Sequence, residues 1–166
     1  MVDQIIREDV RILAGIPSWM LVVTKRVLEK TGASGLDEVW PNLWLYMHGG
    51  VGFSPYQSEF QRLIKSPNMN YMETYNASEG FFSIQDSLER DDMALLLNHG
   101  IFYEFIPRDE AGGANPMTLE LQDLEVGEEY AIVISTNAGL WRYMLGDVVR
   151  LTSRNPYRIQ VTGRVS

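Results

Sequence analysis

Apolar residues recur at helical spacing from the start of the chain. Ile5, Ile6, Val10 and Leu13 share one face, and Gly15-Ile16-Pro17 ends the run. This pattern predicts an amphipathic helix at the amino terminus. Ser18 is placed to cap a second helix, Trp19 to Lys30, which Gly32 closes. The aromatic and apolar run from Val39 to Met47 fits a buried strand. Gly49-Gly50-Val51-Gly52 follows at once, and Ser54-Pro55 opens a short amphipathic helix through Tyr56, Phe60, Leu63 and Ile64. That stretch reads as strand, glycine turn, helix.

The pattern then changes to short extended segments. Met69 to Tyr75 is one. Met93 to Leu97 and Ile101 to Ile106 read as a hairpin joined through Asn98-His99-Gly100. Asp109 to Asn115 is a polar loop, and Tyr130 to Ser135, Val148 to Leu151 and Tyr157 to Val161 read as further strands. The predicted fold class is α/β with mixed α+β character. A helical, strand-turn-helix front passes into a curved antiparallel sheet or partial β-barrel.

Length and charge narrow the function. The 166 residues suit one domain, and the apolar share of 45% and charged share of 22% are those of a globular protein. No apolar run approaches a membrane span, and no signal-peptide layout opens the chain. These features predict a cytoplasmic protein without a membrane partner. Without cysteine there is no disulfide frame and no thiolate ligand or nucleophile. A net charge of −8 argues against nucleic acid. Arg142, Arg150, Arg154, Arg158 and Arg164 nevertheless gather late in the chain, as a local field for a small anion or as a solvated strand face.

Three turns carry candidate chemistry. Gly49 to Gly52 lacks the Lys and Ser/Thr of a phosphate loop, so a structural turn is the plainer reading. Tyr75-Asn76-Ala77-Ser78-Glu79-Gly80 sets an aromatic ring beside a hydroxyl and a carboxylate. The ring suits a base, Ser78 a phosphate oxygen and Glu79 a Mg²⁺ ion; a capped turn explains the same residues. Asp147, directly after Gly146, has the carboxylate that accepts from both ribose hydroxyls, although a Gly-Asp hairpin turn is common. His48 and His99 lack partners at metal-ligand spacing.

Several segments, in order, give a more specific signal. They are Gly15-Ile16-Pro17-Ser18-Trp19-Met20, Trp40-Pro41-Asn42-Leu43, Gly49-Gly50-Val51 with Pro55-Tyr56, Tyr75 through Phe82, Gly100 through Pro107, and Ser135 through Tyr143. Gly146-Asp147, Tyr157-Arg158-Ile159 and Thr162-Gly163-Arg164 complete the set. Together they resemble the acyl-acid amido synthetases, the plant auxin- and jasmonate-conjugating enzymes and their bacterial relatives, within the adenylating superfamily of luciferase and the acyl-CoA synthetases.

The resemblance implies ATP and Mg²⁺ as cofactors and an acid–amino acid ligase reaction. A small carboxylic acid becomes an acyl-AMP, and an amino acid amine then displaces AMP. Tyr75 and Ala77 would line the adenine, Ser78 would face the α-phosphate, Glu79 would hold Mg²⁺, and Asp147 would bind the ribose. Gly49 and Gly50 would bring backbone to the adenine and acyl group, and Arg164 would contact the nucleotide. The family's phosphate loop lies upstream of these motifs and its mobile carboxy-terminal domain downstream. The expectation is therefore that residues 1–166 are the central part of the adenylation domain and inactive alone. Apolar faces at Trp40–Met47 and Val2–Leu13 would then drive self-association. Transfer to coenzyme A, or a non-catalytic nucleotide-binding scaffold, are the competing readings.

Overall fold

A computed structural model describes residues 1–165. The chain divides into two compact units, with the boundary between Ser78 and Glu79.

The first unit is a three-stranded parallel sheet with helices. In chain order it holds α1 (Val2–Ile5), β1 (Ile12–Gly15), α2 (Pro17–Thr31), α3 (Leu36–Val39), β2 (Leu45–Gly49), α4 (Ser54–Leu63) and β3 (Asn70–Ala77). β2 is central and pairs in parallel with β1 and with β3. Leu13, Leu21, Val27, Leu36, Trp40, Tyr46, Phe60 and Ile64 form its core. Two polar tips inside are satisfied: Tyr46 donates to the Gly15 carbonyl at 2.9 Å and Trp40 to the Ile5 carbonyl at 3.1 Å.

Three details differ from the sequence reading, each for a local reason. The amino-terminal helix ends at Ile5, and Ile12 to Gly15 join the sheet instead. Parallel pairing with Leu45–His48 there outweighs helical periodicity. The strand expected from Val39 begins only at Leu45, because Pro41 holds Trp40 out of the helical region and α3 occupies Leu36–Val39. Helix α2 starts at Pro17 with Ile16, not Ser18, as its cap; proline needs no N–H partner in the first turn. Gly32, at φ 70°, ends α2 as expected, its N–H donating to the Leu28 carbonyl at 2.8 Å.

The second unit is an antiparallel sheet. Its strands are β4 (Gly80–Ile84), β5 (Met93–Leu95), β6 (Ile101–Pro107), β7 (Glu129–Thr136), β8 (Tyr143–Arg154) and β9 (Tyr157–Arg164), in spatial order β4-β5-β9-β8-β7-β6. β5 and β6 are therefore not a hairpin: β5 lies between β4 and β9, whereas β6 pairs with β7. The Asn98-His99-Gly100 link is a crossover between non-neighbouring strands. Asp147 lies inside β8, which is longer than its apolar core suggests because its outer part, from Tyr143, is half exposed.

A buried charge cluster ties this sheet together. Asp92, only 5% exposed, accepts hydrogen bonds from Arg90 at 2.7 and 2.6 Å, from Thr152 on β8 at 2.7 Å and from Arg158 on β9 at 3.0 Å. Arg158 also pairs with Asp86 at 2.5 Å. Arg90 first, then Thr152 and Arg158, hold the Asp92 carboxyl well below the usual carboxylate range. A carboxyl so depressed stabilises the fold at pH above its unfolded value of about 4 and loses that contribution as pH falls toward its folded value. Urea unfolding of the wild type should therefore weaken steadily as pH drops below about 4. Asp92→Asn should be less stable at neutral pH by about 3 kcal/mol, because Arg158 loses a buried partner, and should show a flatter acid limb. Parallel acid limbs for the two proteins would assign the acid loss to other carboxyls.

Candidate functional site

Chain order places the candidate residues at the carboxyl ends of parallel strands and at the start of the antiparallel sheet. Gly49 ends β2, and Gly50 follows at φ 80°. A Cβ on Gly49 would lie 2.3 Å from the Thr74 carbonyl oxygen, so the close approach of β2 and β3 alone requires glycine there. On Gly50 it would lie 3.2 Å from Ile16. His48, one residue earlier, is buried and stacks on Phe53 with ring centroids 4.0 Å apart. Burial pushes its pKa down to about 4, so the imidazole is neutral at physiological pH. Its Nδ1 has no hydrogen-bond partner in the fold.

Tyr75 lies on β3 and is 7% exposed, Ala77 ends that strand, and both Ala77 and Ser78 are exposed. Glu79 opens the second unit just ahead of β4.

Within the second unit, residues from distant segments meet. The Glu79 carboxylate beside the Tyr143 hydroxyl raises the phenol's pKa, and the nearby Arg164 cation opposes that rise. Arg164 reaches the Asp147 carboxylate with Nε at 3.3 Å and the Leu145 carbonyl with Nη2 at 3.3 Å. Glu79, Tyr143, Asp147 and Arg164 are thus neighbours from the turn before β4, β8 and the end of β9, with the Asp147–Arg164 ion pair as their direct contact. Tyr143 is the member that the sequence reading did not assign. Its signal lay four residues before Asp147 in the same strand, at the head of Tyr143-Met144-Leu145-Gly146-Asp147.

The path of β8 builds this cluster. Between Ala131 and Val133, β7 advances two residues while β8 advances four, from Met144 to Val148. The surplus is a bulge centred on Gly146, whose φ of 80° favours glycine. A Cβ there would meet Arg164 Nη2 at 3.3 Å.

The late arginines are mostly spoken for. Arg142 pairs with Glu104, Arg150 and Arg108 with Glu129, and Arg158 with Asp86 and Asp92; Arg154 donates to the Gln122 carbonyl. They describe a paired sheet surface more than a free positive field. A cleft of about 810 Å³, lined by Arg108, Glu125, Glu129 and Arg150, lies at the Glu129 end of β7, away from Tyr143.

Among the described residues no group of three or more His, Cys, Asp or Glu side chains is placed to hold a metal ion. A lone carboxylate fits Mg²⁺ where nucleotide phosphates and water supply the remaining oxygens, because Mg²⁺ binds through one or two carboxylates plus phosphate. Glu79, partly exposed, suits that donor set. No helix among the described residues is long and apolar enough to cross a membrane.

Comparisons with known proteins give similarities in sequence and in fold. Residues 94–164 match the GH3 family central domain. A jasmonoyl–L-amino acid synthetase of Nicotiana attenuata is 40% identical over 82 residues, which are 46% of this chain and 14% of that protein. An indole-3-acetic acid-amido synthetase of Arabidopsis thaliana is 50% identical over 54 residues, 31% of this chain and 9% of that protein. In fold, an acyl acid amido synthetase superposes with a TM-score of 0.76 at 16% identity, covering 98% of this chain and 38% of that one. A 2-hydroxyisobutyryl-CoA ligase superposes at 0.66 with 12% identity, again over 98% of this chain and 38% of the other. Residues 94–164 are thus similar to the GH3 family central domain, and nearly the whole chain shares the fold of an acyl acid amido synthetase.

Proposed function

We propose that this chain forms the nucleotide-handling centre of an ATP-dependent acid–amino acid ligase. It would activate a small carboxylic acid as an acyl-AMP and pass the acyl group to the amine of an amino acid. The observation that carries this reading is the cluster of Glu79, Tyr143, Asp147 and Arg164 in a chain related to amido synthetases. The chain spans well under half of the relatives it matches, so in such an enzyme the remaining contacts to ATP come from outside these residues.

The reaction needs a better leaving group than oxide. The substrate carboxylate attacks the α-phosphorus of ATP, a P–O bond forms, and pyrophosphate leaves with its bonding pair. The amine nitrogen then attacks the acyl carbon, loses a proton, and AMP departs. Mg²⁺ bound to the phosphates would neutralise the charge that builds on pyrophosphate, and Glu79 is the residue assigned to hold it. Asp147 is assigned to accept from the ribose hydroxyls, which requires its contact with Arg164 to open or be shared. Arg164, its side chain largely exposed, is free to turn toward the α-phosphate. Ser78 would donate to the same phosphate, and Tyr75 and Ala77, with the backbone at Gly49 and Gly50, would border the adenine. Alignment and charge stabilisation account for the catalysis, without a covalent enzyme intermediate.

The amine is favoured over coenzyme A as acceptor because the sequence matches fall on amido synthetases. Product analysis with a panel of amino acids and with coenzyme A tests it: amide products support the reading, and thioester products alone overturn it.

In the enzyme that carries this segment, Glu79→Gln should slow ATP–pyrophosphate exchange about a hundredfold, roughly 2.7 kcal/mol in the barrier, with little change in AMP affinity. An unchanged exchange rate would remove Glu79 from the mechanism. Asp147→Asn should act in the opposite sense. Calorimetric titration should show AMP binding weakened about tenfold, the scale of one charge-assisted hydrogen bond pair, whereas equal affinity would place the ribose elsewhere.

A further inference from the structure

Two buried side-chain atoms lack a hydrogen-bond partner among the described residues: His48 Nδ1 and the Tyr71 hydroxyl oxygen. Both belong to the first unit, and His48 is only 6% exposed. They also share one face of its sheet. In the parallel register of β2 and β3, Tyr46 pairs with Tyr71 and His48 with Glu73, and side chains two apart on a strand point the same way. Ring contacts close the group. The His48 imidazole stacks on Phe53, whose centroid lies 5.2 Å from that of Tyr71. Tyr46 meets His48 edge-on at 5.8 Å and Tyr71 edge-on at 6.4 Å. Phe53 therefore has both unpartnered side chains as neighbours.

Elsewhere in this core Tyr46, Trp40 and Thr24 all donate to backbone carbonyls. A buried donor or acceptor without a partner costs stability, and an apolar ring at either position would fill the same aromatic group without that cost. The place of the pair distinguishes it. His48 stands directly before Gly49 and Gly50, whose backbone the family resemblance sets against the adenine and the acyl group, and Phe53 follows that turn at the head of α4. The chemistry of the pair then defines what it takes. Burial holds the imidazole uncharged at physiological pH and raises the Tyr71 phenol and the neighbouring Glu73 carboxyl alike, so this face disfavours charge. An added carboxylate would share that penalty. A neutral imidazole nitrogen and a phenol together satisfy a group that gives one hydrogen bond and takes one. A hydroxyl on an apolar body, flanked by the rings, is that group.

We infer that His48 and Tyr71 are specificity residues for the acyl acid: their unpartnered polar atoms receive a neutral hydroxyl on the apolar body of the acid, whose carboxylate is the end that is activated. This deepens the proposed function and rests on it. An acid without the hydroxyl leaves both atoms unpartnered, so discrimination comes from hydrogen bonds gained and not from a clash.

The test uses the enzyme that carries this segment and acids paired by one hydroxyl: phenylacetate against its ring-hydroxylated forms, and hexanoate against its hydroxylated forms. ATP–pyrophosphate exchange gives kcat/KM for each acid, and thermal melting is followed without substrate. The wild type should prefer one hydroxylated acid over its parent by about a hundredfold. Tyr71→Phe and His48→Phe each keep a ring and remove the polar atom. Each should lower kcat/KM for that acid about tenfold and leave the parent acid unchanged. Tyr71→Phe should also melt at a higher temperature, because a buried hydroxyl without a partner is gone. The double variant should lose the preference. Equal use of paired acids by the wild type, or a preference that survives in both single variants, would overturn the inference. So would a lower melting temperature in Tyr71→Phe with selectivity unchanged, which would show the hydroxyl serving the fold through bound water. In each of those cases exchange itself persists and the ligase reading stands. No exchange with any acid in the wild type would instead remove the ligase reading, and this inference with it.

Discussion

The candidate site depends on the path of β8 between Tyr143 and Val148. A regular strand there would pair residue for residue with β7, and Tyr143 and Asp147 would take the positions that pleating alone dictates. Instead the bulge at Gly146 inserts two residues, and the positive φ of that glycine makes the insertion inexpensive. Arg142 sets one end of the irregular stretch by its hold on Glu104, Thr118 and Ser135. Beyond Val148 the pairing with β9 shifts register twice, at Val148/Val149 and at Leu151/Ser153, while Val149 and Leu151 stay buried and Thr152 bonds Asp92 of the Asp92–Arg158 pair. β8 is thus fixed at both ends, and its bulge against β7 falls where Asp147 is presented.

That arrangement separates stability from chemistry in the second unit. The buried charges Asp92 and Arg158 satisfy each other and their neighbours, and they bind β5, β8 and β9. Glu79, Asp147 and Arg164 are more exposed than Asp92 and Arg158. Carboxylates with such exposure are suited to ribose hydroxyls and to a hydrated cation, whereas Asp92 is not.

Much of this was legible in the sequence, and the failures have identifiable causes. Helix α2, the glycine turn, helix α4 and the later strands follow from periodicity and from Gly32, Pro55 and the glycine cluster. The amino-terminal segment misleads because Val10 and Leu13 suit a helix face and a buried strand equally, and only pairing with β2 decides. The supposed hairpin at Asn98-His99-Gly100 fails because strand order is a long-range property: β5 is claimed on both sides by β4 and β9. Glu79 and Asp147 stand out as chemistry beside glycine turns, and Arg164 only through the family resemblance. Tyr143 and Arg142 do not, since the approach of Tyr143 to Glu79 across 64 positions of sequence leaves no local signature, and a positive φ at arginine is invisible in composition.

The most direct measurement is a crystal structure of the protein with AMP bound. The ribose hydroxyls should lie within hydrogen-bond distance of the Asp147 carboxylate, with Arg164 Nε moved from its 3.3 Å contact toward the phosphate. AMP bound instead in the cleft between Arg108 and Arg150, with Asp147 and Arg164 undisturbed, would contradict the assignment of the nucleotide site.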